Sequence, residues 1–345
     1  MSVEGHVFAN LVVAALLVGS AALAFVIRRS ELWREAAVQL ARRRPIALAV
    51  VALYLVIAVL DSVSWVGGGE AGEGGDVLAL HQPRSLVDRM FPLDFDEKSY
   101  SAPLASAEFY GGDPLEHPGL HLLGTDILGR DVLHVMLDGT RIALLVGGFT
   151  SLIVIPLALL VGVSAGYFGK RIDDAAFFVM STLSSIPSIL LLITLIMAMG
   201  RGPVQVCIAM GVTSWVGFCR IVRGETFKLR ELDYVQAARA LGVSDLKLIW
   251  RHILPNLMHL VVITFVLTFS GLVLSEAILS YLGIGIDGSW GQMIDQARDE
   301  LARDPIIWWN LAAASAALFA LILAVNFVGD AVRDVLDPRT LRERE

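Results

Sequence analysis

Seven long apolar runs constrain the fold of this chain more than any other feature of its sequence. A helix that crosses the hydrocarbon core of a bilayer needs about 20 mostly apolar residues. The runs of that length are Val7–Ile27, Pro45–Val66, Ile142–Phe168, Ala175–Met199, Val204–Val222, Leu257–Ile284 and Ile306–Val328. Of the 345 residues, 56% are hydrophobic and 18% are charged, against about 25% charged residues in a typical soluble domain. The sequence therefore predicts an all-α, polytopic bundle of transmembrane helices.

The first run, Val7–Ile27, is either a retained helix or a cleaved signal peptide. Residues 1–6 contain no Lys or Arg, and a cluster of arginines follows the run, between Arg28 and Arg44. A signal peptide has its positive charges before the apolar run, so the order favours a retained helix. By the positive-inside rule the basic linker 28–44 is cytoplasmic, which predicts an N-terminus outside the membrane.

The charges of the loops predict one orientation and a division of the chain into four parts. The loops 67–138 and 285–305 are rich in acidic residues, whereas the segment 224–256 and the residues just before it carry Arg220, Arg223, Lys228, Arg230, Arg239, Lys247 and Arg251. We therefore expect the first two loops outside and the third in the cytoplasm. The predicted parts are a two-span N-terminal region (1–66), an extracytoplasmic cap (67–138), a transmembrane core with the cytoplasmic segment 224–256 (139–330), and a cytoplasmic tail (331–345).

The outer loop predicts an irregular cap rather than an independent enzyme domain. It contains glycine-rich stretches and several prolines, among them those at positions 92, 103, 114 and 118, and both residue types interrupt helices. Apolar residues recur at helical spacing between Asp126 and Leu137. This segment is either an amphipathic helix on the outer membrane surface or an extension of the third span.

The chain lacks the common signatures of catalysis. It has no GxxxxGK[ST] phosphate loop, no HExxH motif and no cluster of Cys and His, and its seven histidines are scattered. We therefore predict a non-catalytic chain that holds no cofactor or metal. Glu276 is the only carboxylate well inside a predicted span, with Asp61 in the outer part of another. Since these spans supply no relay of ionisable groups, the energy for transport would come from another subunit.

A polar segment, Tyr234–Asn256, separates the fifth and sixth apolar runs. Its composition predicts two short helices that meet at an angle at Gly242, because glycine adopts the positive φ that ends a helix. Pro255 is expected to end the second helix. The predicted apolar stripes are Leu232, Val235, Ala238 and Leu241 on the first helix, and Leu246, Ile249, Trp250 and Ile253 on the second. Such an element either inserts into a groove of a soluble partner or rests on lipid headgroups.

The same segment resembles the EAA loop of permease subunits in bacterial ATP-binding-cassette importers, whose pattern is EAA, three residues, G, nine residues, I-x-L-P. The matching residues are Ala237, Ala238, Gly242, Leu254 and Pro255, whereas Gln236 replaces Glu and His252 replaces Ile. Further motifs are similar to those of the second permease of dipeptide and oligopeptide importers. These are Leu123–Asp131, Gly139–Ile142, Gly166–Asp173, Ala238–Asp245, Ser289–Gly291 and Gly329–Pro338.

The resemblance implies a transport subunit with six core spans, to which Val7–Ile27 is an addition. Its implied partners are a homologous second permease, two ATPase subunits that bind ATP and Mg, an extracytoplasmic substrate-binding protein and the lipid bilayer, but no nucleic acid. The residues expected to couple to the ATPases are Gln236, Ala237, Ala238, Gly242, Asp245, Leu254 and Pro255. The candidate residues of the pathway or outer gate are Glu276, Asp126, Arg130 and Asp131.

Other interpretations remain open at this stage. The chain could be a membrane scaffold or receptor whose outer loop binds a ligand without transport, or an importer of nickel chelates or another non-peptide solute. A secondary carrier is disfavoured because the predicted spans contain few charges. For Glu276, the alternative to a residue of the pathway is an interface carboxylate that is bonded to its neighbours.

Overall fold

The computed structural model describes residue 38 and residues 41–65, 84–91 and 96–336. The helices are α1 (Pro45–Ser62), α2 (Val132–Phe168), α3 (Lys170–Ser185), α4 (Ser188–Met199), α5 (Pro203–Arg230), α6 (Asp233–Ala240), α7 (Asp245–Leu248), α8 (Leu254–Tyr281), α9 (Trp290–Glu300) and α10 (Trp309–Leu336). The predicted first span, Val7–Ile27, lies outside the described residues, as does the end of the predicted tail beyond residue 336.

Two short strands are the only sheet in the described part of the chain. Strand β1 (Ser64–Trp65) pairs antiparallel with β2 (Arg84–Ser85), and a single 3-10 turn follows at Asp88–Met90. Residues 96–131 contain turns and isolated bridges but no helix. The predicted all-α bundle with an irregular cap is therefore confirmed for the described residues.

Five helical segments are long and apolar enough to cross a membrane, and the pair α3–α4 makes a sixth if it counts as one span. The five are α1, α2, α5, α10 and a continuous segment that runs from α7 to the end of α8. Many of their large apolar side chains are exposed, among them Leu152, Leu160, Leu267 and Phe319. Exposed apolar side chains on such helices are suited to contact with lipid tails.

The fourth predicted run, Ala175–Met199, does not form one straight helix. The chain bends by 90° between α3 and α4, where Ile186 has the extended angles φ −95° and ψ 131°. The reason is Pro187, since a proline disfavours the helical conformation of the residue before it and has no N–H to continue the ladder. The prediction of a single span here is therefore corrected to two helices that meet at a sharp bend.

The third predicted span begins ten residues earlier than expected. Helix α2 starts at Val132 instead of Ile142 and continues without a break to Phe168. Residues 126–131 form a turn rather than a helix. The interpretation of Asp126–Leu137 as a surface helix is therefore wrong, and the alternative, an extension of the span, is correct from residue 132 onward.

The chain divides into two compact units. Unit 1 comprises residues 1–145 and 273–325, and unit 2 comprises residues 146–272 and 326–345. The predicted core, 139–330, contributes to both units. The four-part division drawn from loop charges describes membrane topology and stays a prediction.

Within unit 2, two glycines bring α2 and α5 into close contact. A Cβ at Gly162 would lie 2.8 Å from the Cys219 carbonyl oxygen, and a Cβ at Gly166 would lie 2.6 Å from the Thr226 Cβ. The two glycines are four residues apart and therefore share one face of α2. Small residues at this spacing let helix backbones approach closely in a membrane, so the Gly162–Gly166 pair sets the distance between the two helices.

Within unit 1, Trp290 fixes the start of α9 against α2. Its ring packs on Gly139, where an added Cβ would lie 2.5 Å from the Trp290 Cδ1. The indole Nε1–H donates a hydrogen bond of 2.8 Å to the Met136 carbonyl oxygen, and Tyr54 meets the same indole edge to face. The resembling motifs Gly139–Ile142 and Ser289–Gly291 are therefore two halves of one packing contact.

Candidate coupling site and outer cap

The polar segment begins with a helix that ends at a left-handed glycine, as predicted. Helix α6 is followed by Gly242 with φ +82°, whose N–H donates to the Arg239 carbonyl oxygen at 3.0 Å. The Val243 N–H donates to the Ala238 carbonyl oxygen at 3.2 Å. Ser244 occupies the N-cap position of α7 but makes no side-chain cap hydrogen bond. Backbone hydrogen bonds from Gly242 and Val243 thus close the turn.

The second helix of the segment does not end at Pro255, which corrects the sequence prediction. Helix α7 passes through a π turn at Ile249–Ile253 directly into α8, and the helix is continuous from Asp245 to Tyr281. Proline normally clashes with the carbonyl four residues earlier. The wider π turn changes the hydrogen-bonding pattern just before Pro255, so the proline is accommodated at the start of α8. The polar segment therefore contains one short helix and the beginning of a span.

The inner face of the segment packs into the core of unit 2. Val235, Leu248, Ile253 and Leu257 are fully buried in this cluster, with Tyr167, Val222 and Leu229 also among its members. The members of the two predicted stripes divide between the core and the surface. Val235 and Ile253 are buried, and Ala238 and Ile249 are half-buried, but Leu232, Leu241, Leu246 and Trp250 are exposed.

The outer face of the segment exposes three large apolar side chains around the Gly242 turn. Leu241 is 85% exposed, Leu246 67% and Trp250 68%. Leu246 and Trp250 are four residues apart and lie on one face of the helix. Large apolar side chains exposed close together are suited to contact with a partner or with lipid. We call Leu241, Leu246 and Trp250 the apolar face.

Polar contacts hold this segment against the end of α2. The Tyr167 hydroxyl donates a hydrogen bond of 2.7 Å to Asp245 Oδ1, and the Arg239 guanidinium lies 5.0 Å from the centroid of the Tyr167 ring. The hydrogen-bonding contact with Tyr167 raises the pKa of Arg239 above its ordinary value. Arg230 Nη1 donates to the Gly166 carbonyl oxygen at 2.9 Å. The start of the motif Gly166–Asp173 is thus in direct contact with the polar segment and with the end of α5.

The base of the segment is closed by a contact between its two ends. Asn256 Nδ2 donates to the Tyr234 hydroxyl at 3.2 Å and to the His252 carbonyl oxygen at 2.6 Å. The rings of Tyr234 and His252 also lie 5.9 Å apart. His252, which departs from the family pattern, therefore participates in closing the base.

The first residue of the motif, Gln236, forms hydrogen bonds with the chain just before α6. Gln236 is exposed, and its Nε2 donates to the Arg230 carbonyl oxygen and to Glu231 Oε2, both at 3.3 Å. Ala237 is exposed and Ala238 half-buried, while Leu254 is half-buried and Pro255 is exposed. The predicted coupling residues therefore lie in one segment, in which Gln236 braces the junction between α5 and α6.

In the outer cap, Asp126 and Arg130 stabilise a tight turn. Asp126 Oδ2 accepts hydrogen bonds from Arg130 Nε at 2.9 Å and from Nη2 at 2.7 Å. Asp126 Oδ1 accepts from the backbone N–H groups of Leu128 and Arg130 at 2.8 and 3.0 Å. The Asp126 carboxylate is buried, and this full set of donors offsets the cost of its burial.

Asp131 links the start of α2 to the cap. Its Oδ1 accepts from the N–H groups of Leu133 and His134 at 2.8 and 3.2 Å, an arrangement that satisfies free N–H groups at a helix N-terminus. Its Oδ2 lies 2.8 Å from His121 Nδ1, and His121 Nε2 lies 3.4 Å from Glu97 Oε1. His121 thus bridges two buried carboxylates.

The interactions between His121 and the carboxylates shift the pKa values of His121 and Glu97 in opposite directions. Burial alone would lower the pKa of His121, but the hydrogen bonds and charges of Asp131 and Glu97 raise it above the ordinary value. Burial alone would raise the pKa of Glu97, but the Glu116 and His117 N–H groups and His121 lower it. The two shifts therefore favour the charged forms of His121 and Glu97 over their neutral forms.

Two glycines of the Leu123–Asp131 motif allow the cap to pack closely. Gly124 and Gly129 have φ of +75° and +77°, and an added Cβ would overlap the Ser101 or Glu97 carbonyl oxygen respectively. The intervening Thr125 accepts at its carbonyl oxygen a hydrogen bond of 2.9 Å from Trp309 Nε1. The motif is therefore a closely packed contact point within unit 1.

Glu276 is bonded to its neighbours near the end of α8. It is 3% exposed, and the Ser280 hydroxyl donates to its Oε1 at 2.5 Å. Ser280 Oγ in turn accepts the N–H of Ile286 at 2.9 Å. This geometry agrees with an interface carboxylate that is bonded to its neighbours, while the pathway role of Glu276 stays a prediction.

The structure also brings together ionisable residues that the sequence analysis did not single out as a group. Arg141 Nε lies 3.2 Å from Asp61 Oδ2. About two helical turns earlier, His134 Nε2 lies 3.0 Å from Asp88 Oδ1 and 3.8 Å from Asp138 Oδ1. On α2, His134, Asp138 and Arg141 have the spacing i, i+4 and i+7 and share one face. That spacing is present in the sequence. It places the three side chains on one face only because the helix begins at Val132 rather than at Ile142.

These observations define a polytopic helical membrane protein. Its polar segment is packed and hydrogen-bonded against the core of unit 2, and its cap is held together by hydrogen bonds. Residues 158–342 match the model of the family described as binding-protein-dependent transport system inner membrane component. The chain is 35% identical over 245 residues to the glutathione transport system permease protein of Pectobacterium atrosepticum, covering 70% of this chain and 80% of that protein. It is also 35% identical over 225 residues to the dipeptide transport system permease protein of Bacillus subtilis, covering 64% and 70%.

Among solved structures, a chain of the MetNI methionine ABC transporter in inward-facing conformations aligns with a TM-score of 0.48 and 20% identity, covering 59% of this chain and 97% of that chain. The family model and the relatives agree with each other. The chain belongs to the family of binding-protein-dependent transport system inner membrane components. It is a multi-pass, inner-membrane transport component.

Proposed function

We propose that this chain is a permease subunit of an ATP-driven importer that moves peptides or peptide-like solutes. The observation that carries the proposal is the apolar face, Leu241, Leu246 and Trp250, exposed on a segment that is anchored to the core of unit 2. The names of the relatives, which include dipeptide and glutathione transport permeases, support the class of solute.

The proposed partners follow from the family. A homologous second permease would complete the pathway, an extracytoplasmic binding protein would deliver the solute, and two ATPase subunits would bind ATP and Mg. The chain has no phosphate loop of its own. We propose an N-terminus outside the membrane and a cytoplasmic C-terminus, which puts the apolar face on the side of the ATPases.

In this proposal the polar segment transmits ATPase closure to the spans. A groove of the ATPase would receive the apolar face, as amphipathic helices dock into hydrophobic grooves. Gly242 shapes the turn, and Asp245 anchors it through Tyr167. Gln236, Ala237, Ala238, Leu254 and Pro255 complete the coupling segment. Because the segment is tied to α2 and is continuous with α8, its displacement would move both helices.

At the outer side we propose a positioning role for the cap residues. Asp126, Arg130 and Asp131 would keep the mouth of the pathway in shape through the hydrogen bonds of the cap. Glu276 would act at the outer end of α8. The cap would also provide the surface for the binding protein.

The test replaces the apolar face by charges in the assembled transporter. We expect the double variant Leu246→Asp and Trp250→Asp to insert normally, to lose co-purifying ATPase and to lose peptide uptake. Both side chains are exposed, so the fold of the chain is retained. The matched control is Leu128→Asp, an equally exposed leucine in the outer cap at 62%, which should keep the ATPase bound. Normal ATPase binding and uptake in the double variant would refute the proposal.

A further inference from the structure

Three potential metal ligands converge where the outer segment meets α2. His134 Nε2 lies 3.0 Å from Asp88 Oδ1 and 3.8 Å from Asp138 Oδ1. One ligand atom from each residue lies within 4.8 Å of the other two. Four-coordinate zinc with bonds of about 2.0–2.2 Å places its ligand atoms a little over 3 Å apart, so small side-chain shifts would bring all three atoms to bonding distance.

The cluster is preorganised at two of its three positions. The Phe91 ring stacks on the His134 imidazole with centroids 4.5 Å apart, which fixes the plane of the ring. Asp88 Oδ2 accepts the Ser85 N–H at 2.7 Å, which leaves Oδ1 directed at His134. A supporting hydrogen bond of this kind orients a carboxylate ligand.

The third position contains an unsatisfied acceptor. Asp138 Oδ1 is inaccessible to solvent and has no hydrogen-bond partner, although the rest of the side chain is about one-third exposed at 33%. A buried carboxylate oxygen without a donor is costly. It faces Nε2 of His134, the same atom that already contacts Asp88. A cation between the three residues would satisfy this oxygen.

We propose that Asp88, His134 and Asp138 form a binding site for a divalent transition-metal ion of the zinc class. An imidazole nitrogen with two carboxylates suits zinc better than calcium or magnesium, which favour oxygen ligands. Three protein ligands leave one position for water. The side chains of Asp88, His134 and Asp138 are 28%, 24% and 33% exposed, so the ion has access from solvent.

The site would pin the outer segment to the start of α2. Asp88 belongs to the 3-10 turn after β2, whereas His134 and Asp138 lie in the first two turns of α2. A metal would replace a single hydrogen bond between them by three bonds to one ion. This inference concerns the cap alone and does not rest on the proposed transport function.

The test measures binding of zinc to the purified full-length chain. The chain is isolated on a tag without histidine, stripped with a chelator, and titrated with Zn²⁺ by calorimetry. We expect one bound ion per chain, and we expect Asp138→Asn to weaken its affinity by about tenfold or more. Binding of Co²⁺ should give the visible absorption of a tetrahedral site, and Asp138→Asn should remove it.

Matched controls separate this site from adventitious binding. Asp287→Asn and His259→Gln alter exposed residues outside the cluster and should leave the affinity unchanged. Asp138→Asn keeps the shape of the side chain and removes an unsatisfied charge, so the variant should fold. His134→Gln provides a second variant with the same expected loss. Absence of stoichiometric binding, or equal affinity in Asp138→Asn and the wild type, would overturn the proposal.

Discussion

The hydroxyl of Tyr167 donates a hydrogen bond of 2.7 Å to the carboxylate of Asp245, although the two residues are 78 positions apart. Tyr167 lies at the end of α2, and Asp245 is the first residue of α7. The guanidinium of Arg239 rests on the same tyrosine ring. One side chain of α2 therefore contacts both sides of the Gly242 turn.

Tyr167→Phe should loosen the polar segment without unfolding the bundle. The substitution removes the bond to Asp245 but keeps the ring, and a single hydrogen bond of this kind contributes about 0.5–1.5 kcal/mol. We expect faster amide hydrogen exchange in residues 233–256 and a lower ATPase-coupled transport rate. The control is Tyr110→Phe, which removes only an exposed hydrogen bond of 3.3 Å. Equal exchange in the two variants would show that Tyr167 does not anchor the segment.

Gly129→Ala should destabilise the outer cap severely. At φ +77° an alanine is strained by about 1–2 kcal/mol, and its Cβ would also overlap the Glu97 carbonyl. Gly112→Ala is the matched control, since Gly112 has φ +76° but nothing within 4 Å of an added Cβ. Limited proteolysis of the cap should report early cleavage in the first variant and a small change in the second. Similar cleavage of both would mean that backbone strain alone decides the outcome.

The pH dependence of the cap should follow His121 and Glu97. The raised pKa of His121 gives a stabilisation that is complete below its ordinary value of 6.5 and is lost as pH rises through the raised folded value. The lowered pKa of Glu97 gives a stabilisation that is present above its ordinary value of 4.5 and is lost as pH falls through the lowered one.

Protection of cap amides, corrected for intrinsic exchange, should therefore decrease as pH rises above 6.5 and through the raised pKa of His121, because the imidazole loses its proton there. His121→Gln should remove this decrease, because the glutamine does not titrate. Substitution of the exposed His259 should preserve it. A decrease of the same size in His121→Gln would assign the pH dependence to another group.

Alanine at Gly162 or Gly166 should weaken the pairing of α2 and α5. An added Cβ at either position meets atoms of α5 at 2.6–2.8 Å, and overpacking of this kind costs about 1–3 kcal/mol. Gly217→Ala is the control, because Gly217 lies in α5 with nothing within 4 Å of an added Cβ. There the better helix propensity of alanine should stabilise by about 0.5–1 kcal/mol. Thermal midpoints in detergent should therefore move in opposite directions.

The apolar runs predicted where the described spans lie, because length and composition decide membrane insertion independently of tertiary contacts. The turn at Gly242 was also predictable, because the positive φ that ends a helix is a local requirement that glycine meets. Pro187 was overlooked within a run whose composition was apolar throughout. Its effect on Ile186 is local, so this bend could have been predicted from the sequence.

The contacts that define the site were less accessible from sequence. Pro255 ended the second helix in the prediction, but the preceding π turn accommodates it, and no sequence pattern marked that turn. Leu241, Leu246 and Trp250 were predicted only as members of apolar stripes, because hydrophobic spacing does not say which of the apolar side chains meet the core. The links from Tyr167 to Asp245 and from Asp88 to His134 depend on tertiary packing between distant residues.

The uninterrupted helix from Asp245 to Tyr281 comprises 37 residues, and at about 1.5 Å per residue it is roughly 55 Å long. Its first turns present Leu246 and Trp250, and its last turns contain Glu276 and Ser280. In the proposed function, a displacement of the Gly242 turn would be carried along this single helix, without an intervening loop, toward Glu276.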